Sequence, residues 1–150
     1  ISFSEEIKNI NLKKIISYSS DNLTPIELEM IRTIRKSGLF FYKYYINQLN
    51  EQYLTLDPLI HYIRSTIWKI KDPNPVFNSA WYLKKYPEVE NAKYNPLFHY
   101  IKWGAALGYN PHPDFSTNAY MSANKNIIPA GVNPLEHYVF KGALENRPLW

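Results

Sequence analysis

One hexapeptide occurs three times in the chain: Asp57-Pro58-Leu59-Ile60-His61-Tyr62, Asn95-Pro96-Leu97-Phe98-His99-Tyr100 and Asn133-Pro134-Leu135-Glu136-His137-Tyr138, each copy 38 residues from the next. A fixed period of this size marks a repeat architecture, in which a unit that cannot bury its apolar face alone stacks on its neighbour. The period predicts an all-α fold: an α-solenoid-like helical-repeat stack of helix pairs. Its repeats are placed at 39–76, 77–114 and 115–150, with an N-terminal helical cap or linker over 1–38.

The hexapeptide is a helix start. An Asp or Asn oxygen accepts from a free amide of the first turn, and Pro at the first helical position sacrifices no hydrogen bond. Glu136 follows Asn133 at capping-box spacing. Beyond the cap, Leu97, Tyr100, Ile101 and Gly104 fall on one helical face, as do Leu135, Tyr138, Val139 and Gly142, and Leu59, Tyr62, Ile63 and Thr66. Gly104 and Gly142 either end the helix in a left-handed conformation or let a neighbouring helix approach closely.

An upstream helix completes each pair. Phe77-Asn78-Ser79-Ala80-Trp81-Tyr82-Leu83 aligns with Phe115 to Met121, with Asn78 and Ser116 as caps and Phe77–Tyr82 and Phe115–Tyr120 as hydrophobic staples. The corresponding first copy, Leu39 to Tyr45, puts Phe40 at the cap position. Pro87 is expected to stop the middle helix near Tyr86, with one extra turn over 88–92. Pro73-Asn74-Pro75 and Pro111-His112-Pro113 are stiff links between units. Upstream, Ser2 or Ser4 starts a helix reaching about Ser17, Asp21-Asn22 is a turn, and Thr24-Pro25-Ile26-Glu27 opens a second helix ending at Gly38.

Phe77, Tyr82, Leu83, Tyr86, Pro87, Val89, Ala92, Asn95, Pro96, Leu97, His99, Tyr100, Gly104, Pro111 and Pro113 together form a pattern that resembles a tandem repeat of large bacterial proteins. The third copy matches it through Phe115, Tyr120, Ala130, Asn133, Pro134, Leu135, His137, Tyr138, Gly142 and Arg147. Such repeats accompany glycosyltransferase domains of capsule, O-antigen and rhamnan-type synthesis, and some secreted calcium-binding-repeat proteins. The resemblance spans about residues 39–148 and implies an accessory module with no catalytic residue of its own. Repeat one departs from the pattern at Phe40, Leu49 and Thr66, which argues against a shared site there.

His61, His99 and His137 recur at one position. One histidine per helix-pair layer, about 10 Å apart, is too widely spaced to share a metal ion. They are expected to pack on Leu56, Tyr94 and Val132 and to hydrogen-bond between repeats. With four Asp, none adjacent in sequence, there is no Asp-x-Asp motif, and no phosphate-binding loop or nucleophile elbow occurs. Neither a metal nor a cofactor is expected. The net charge of +4 raises anionic polymers or nucleic acid as partners. Only Arg64 and Lys102 recur in register, with Phe140 in the third copy, so nucleic acid ranks last.

Aromatics make up 16% of the chain, and those that do not repeat are free for function. Trp103 is the first candidate for a glycan or partner contact, followed by Trp81, with Tyr109, His99 and Trp68 beside them. The repeat residues Asp57, Pro58, His61, Tyr62, Asn95, Pro96, His99, Tyr100, Asn133, Pro134, His137 and Tyr138 are read as structural. The resulting expectation is a non-catalytic module of a larger bacterial cell-surface polysaccharide glycosyltransferase, holding glycan or scaffolding the catalytic domain. A protein-interaction or self-association module is the alternative. The first residue is Ile, and the chain is expected to be a segment of a longer protein. A cytoplasmic or membrane-peripheral location is expected, with the cell surface as alternative; no apolar run is long enough to span a membrane.

Overall fold

The computed structural model describes residues 22–49, 57–126 and 131–142. The helix expected before Ser17, together with Leu56, Ala130 and Arg147, lies outside the described residues.

The first described helix, α1 (Pro25–Ser37), begins with a complete capping box: the Thr24 side chain accepts from Glu27 N, and the Glu27 carboxylate accepts from Thr24 N. It ends at Gly38, whose φ of 71° is left-handed. Repeat one holds α2 (Tyr42–Asn47) and α3 (Pro58–Ile63). Repeat two holds α4 (Ser79–Lys85), α5 (Pro87–Asn91) and α6 (Pro96–His99), the last running into a π-helical turn, Tyr100–Gly104. Repeat three holds α7 (Thr117–Asn124) and α8 (Pro134–His137), again continued by a π-turn, Tyr138–Gly142. The fold is all-α. Among the described residues there is no strand, only isolated bridges Asn74–Phe77 and His112–Phe115 at the Pro-x-Pro links. No helix among the described residues is long and apolar enough to cross a membrane.

Asp57, Asn95 and Asn133 all cap their helices through the side chain, as do Asn78 and Ser116. Both staples form, with ring centroids 5.3 Å apart in Phe77–Tyr82 and 5.4 Å in Phe115–Tyr120. The box at Asn133 is only half made: Asn133 accepts from Leu135 N and Glu136 N, but Glu136 returns no bond and sits within the field of Lys36 instead.

Three expectations need correction. The first repeat is out of register by one residue before its hexapeptide. Tyr45, not Tyr44, occupies the place of Tyr82, and Phe40 is the staple residue corresponding to Phe77, packing on Tyr45 and Tyr62 at 5.0 and 5.5 Å. The uncapped N-cap position is therefore Phe41. Second, the histidines bond within a repeat. Tyr45 Oη meets His61 Nδ1 at 2.7 Å, Tyr82 Oη meets His99 Nδ1 at 2.8 Å and Tyr120 Oη meets His137 Nδ1 at 2.7 Å. Third, the apolar stripe of repeat one stops at Ile63, since α3 ends there and Thr66 is exposed.

The hexapeptide tyrosines make the bonds between repeats. Tyr62 Oη lies 2.8 Å from Ser79 Oγ, and Tyr100 Oη lies 2.9 Å from Thr117 Oγ1. All four side chains are buried, so each pair satisfies groups that would be costly to leave unpaired. The links instead close each repeat on itself: Pro73 O accepts from Phe41 N, and Pro111 O accepts from Asn78 N.

Helix α1 packs against α3, α6 and the following π-turn. Glu27 accepts two bonds from the Arg64 guanidinium, and Glu29 pairs with Lys102. At the other end Gly38 faces the Phe140 ring, which a Cβ would approach to 3.1 Å. Arg64, Lys102 and Phe140 hold the same position in the three repeats, so α1 pairs with that position in the first two and its Gly38 cap faces it in the third.

Candidate saccharide-binding groove

Repeat two carries an open groove of about 510 Å³ lined by Glu88, Ala92, Tyr94, His99, Lys102, Trp103, Ala106 and Leu107. Its shape follows from local sequence. Pro87 restarts the chain as α5, which buries Val89 and leaves Glu88 exposed. Lys93 then takes a left-handed φ of 62° that turns the chain into the Asn95 cap. Non-glycine residues seldom adopt this conformation, and repeat three has Gly131 (φ 84°) at the equivalent place.

The turn sets Tyr94 beside Trp103, with centroids 4.9 Å apart. Trp103 also meets His99 at 5.6 Å and the edge of Phe98 at 5.7 Å, and it is half-buried. Lys102 Nζ lies 5.0 Å from the Trp103 centroid while paired with Glu29. On the other wall Glu88 accepts a 2.5 Å hydrogen bond from Tyr109, which holds its carboxyl below the usual range. Tyr109 is itself stacked on Tyr86 at 3.8 Å and 8° between planes.

His99 is 8% exposed. Burial pushes its imidazole below its ordinary pKa, against the opposing pull of Glu88. The π-turn brings Gly104 beneath the Tyr82–His99 pair, where a Cβ would overlap the Tyr82 hydroxyl. Gly104 is not left-handed; of the two expectations for it, close approach is the one seen, by a side chain in place of a helix.

Of the residues singled out from the sequence, Trp103 and His99 meet in the groove, and Tyr109 flanks it through Glu88. Trp81 lies apart, half-buried with its edge toward Tyr86 at 6.3 Å. Trp68 stands 87% exposed on the turn after α3. Glu88 was not anticipated, and Tyr94 was expected only as a packing partner of His99, whose ring centroid lies 6.4 Å away. The signal for Tyr94 was present, because the same position holds Leu56 and Val132 in the other repeats. Among the described residues no three His, Asp or Glu side chains converge where they could hold a metal ion.

No protein-family model, curated protein or solved structure matches the chain.

Proposed function

We propose that the chain is a non-catalytic module of an α-solenoid-like repeat type that holds a saccharide in the groove beside Trp103. On this reading it serves as an accessory part of a larger bacterial cell-surface polysaccharide glycosyltransferase. The observation that supports binding is the composition of the groove: a partly exposed Trp103–Tyr94 surface flanked by a carboxylate, an imidazole and an ammonium. The C–H face of a pyranose packs on an indole while its hydroxyls need both donors and acceptors at the rim. Trp103 is peculiar to repeat two, where Ser65 and Lys141 stand in the others, which suits a site superimposed on a structural repeat. The glycosyltransferase context rests on the sequence resemblance.

A single exposed groove supports weak binding, about millimolar, with avidity supplied by repeated sugar units. The test is titration of capsular and O-antigen polysaccharides while following the Trp103 indole N–H resonance. Saturable shifts there and at the backbone amides of Tyr94 and His99 are expected, the amide shifts being lost in Trp103→Ala and reduced in Trp103→Phe with the fold intact. Absence of shifts with every polysaccharide would reject the reading.

The protein-interaction alternative is favoured by one observation, the 87% exposure of Trp68 outside the groove. Sedimentation showing self-association, or association with a catalytic domain, that Trp68→Ala abolishes would favour it. Nucleic acid stays last, because Arg64 and Lys102 are already paired with Glu27 and Glu29.

A further inference from the structure

His99 has a role in the groove that the repeat does not require of it. Its Nδ1 is engaged by the Tyr82 hydroxyl at 2.8 Å. Tyr82 is fully buried, and among the described residues its O–H has no hydrogen-bond partner besides His99 Nδ1. Were Nδ1 the donor, the tyrosine proton would be left buried without an acceptor, a cost that the opposite arrangement avoids. Tyr82 therefore donates to Nδ1, and a neutral imidazole so held carries its own proton on Nε2. Among the described residues Nε2 makes no hydrogen bond to protein, and it is not one of the sealed, unpaired atoms, which are Nδ2 of Asn95 and of Asn133. The open space that His99 lines is the groove. A side chain more than nine-tenths buried thus presents one unused N–H donor at the foot of the Trp103 face.

Glu88 lines the same groove and is exposed; its carboxylate accepts from the Tyr109 hydroxyl and lies near its own backbone N–H, and a carboxylate has further lone pairs with which to accept. The Lys102 ammonium also lines the groove but is paired with Glu29, whereas the Glu88 carboxylate has no cationic partner among the described residues. We infer that the groove is selective for a neutral pyranose, one hydroxyl oxygen accepting from His99 Nε2–H, another hydroxyl donating to Glu88, and the ring lying on Trp103. A uronic acid or a sulfated sugar would bring a second negative charge to the Glu88 carboxylate. The inference rests on the saccharide reading and adds the ligand class and the two residues that select it. Tyr82 acts as a positioning residue by fixing the imidazole tautomer.

The probes are methyl glycosides of glucose, galactose, mannose and N-acetylglucosamine, with methyl glucuronide and methyl galacturonide as charged counterparts. Long-range ¹H–¹⁵N spectra of the histidine rings read the tautomer without any ligand. His99 is expected with its proton on Nε2, and a proton on Nδ1 would overturn the inference. On titration at least one neutral glycoside should shift both the Trp103 indole and His99 Nε2, binding about tenfold tighter than its uronate. Glu88→Gln should collapse that preference toward unity, and equal or tighter uronate binding by the unsubstituted chain would overturn it. Shifts at Trp103 that leave His99 Nε2 unmoved would sink the inference and leave the saccharide reading standing. Silence from all six glycosides at both residues would remove both.

Discussion

Gly104 lies directly beneath the Tyr82 hydroxyl, so that the space a methyl group would need is filled by the oxygen that bonds His99. Alanine is the better helix former by about 1 kcal/mol. Gly104→Ala should nevertheless destabilise the chain by about 1–3 kcal/mol, because it pushes a buried hydroxyl off its partner. Tyr82→Phe alone should cost about 1–3 kcal/mol through the unpaired Nδ1. The double variant should lose clearly less than the sum, since removal of the oxygen makes room for the methyl. Urea denaturation of the four proteins measures the coupling, and additive losses would refute the packing argument.

Thr117 ties two repeats by donating to the Tyr109 carbonyl at 2.5 Å and meeting Tyr100 Oη at 2.9 Å. Thr117→Val keeps the shape and removes the oxygen. It should cost about 1–3 kcal/mol, with Thr117→Ser retaining most of the stability. Equal losses in both variants would show that the methyl group, not the hydroxyl, carries the contact.

Lys93 holds a left-handed φ of 62° where the third repeat uses Gly131. Lys93→Gly should be neutral or stabilising by up to about 1 kcal/mol, because relief of backbone strain offsets the added freedom of the unfolded chain. Lys93→Val should destabilise by more than about 1 kcal/mol. Thermal melts decide, and a loss of stability in Lys93→Gly would contradict the assignment.

His99 should titrate below the usual histidine value of about 6.5. The groups facing it are Tyr82 and Tyr109, both held protonated, the Glu88 carboxylate, which pulls upward, and Lys102, which is occupied by Glu29. Burial outweighs Glu88. The unfolded chain then binds the proton first as pH falls, so the stability His99 contributes is complete above about pH 6.5 and is lost on descent through its folded pKa. Histidine ¹³C shifts against pH provide the check, and a His99 midpoint above 6.5 would reverse the sign.

The helix starts were legible because each is written in a few adjacent residues. Thr24-Pro25-Ile26-Glu27 forms its box, and Asn95-Pro96 and Asn133-Pro134 cap as their chemistry requires. The one-residue slip of repeat one was not legible. Phe40 and Phe41 are chemically alike, and only burial against Tyr45 and Tyr62 shows which is the staple. The same holds for the histidines. The 38-residue recurrence marked His99 as structural, but its partner Tyr82 lies 17 positions away on another helix. For the groove, the departure of Trp103 from the repeat could be read directly, whereas Glu88 reaches it through a turn whose path depends on the left-handed Lys93.

Helix α1 spans about 20 Å, as 13 residues of α-helix must; its first turns meet Arg64 and Lys102, and the Gly38 cap at its far end faces Phe140. In a plain array each unit answers only to its neighbours, and the end units fray independently. A helix that packs on the first and second units, with its Gly38 cap set against Phe140 of the third, limits that freedom, because releasing an end unit also strips contacts from α1 or its cap. The three repeats should therefore melt in one cooperative step, and amide exchange in α8 should slow or quicken together with exchange in α3.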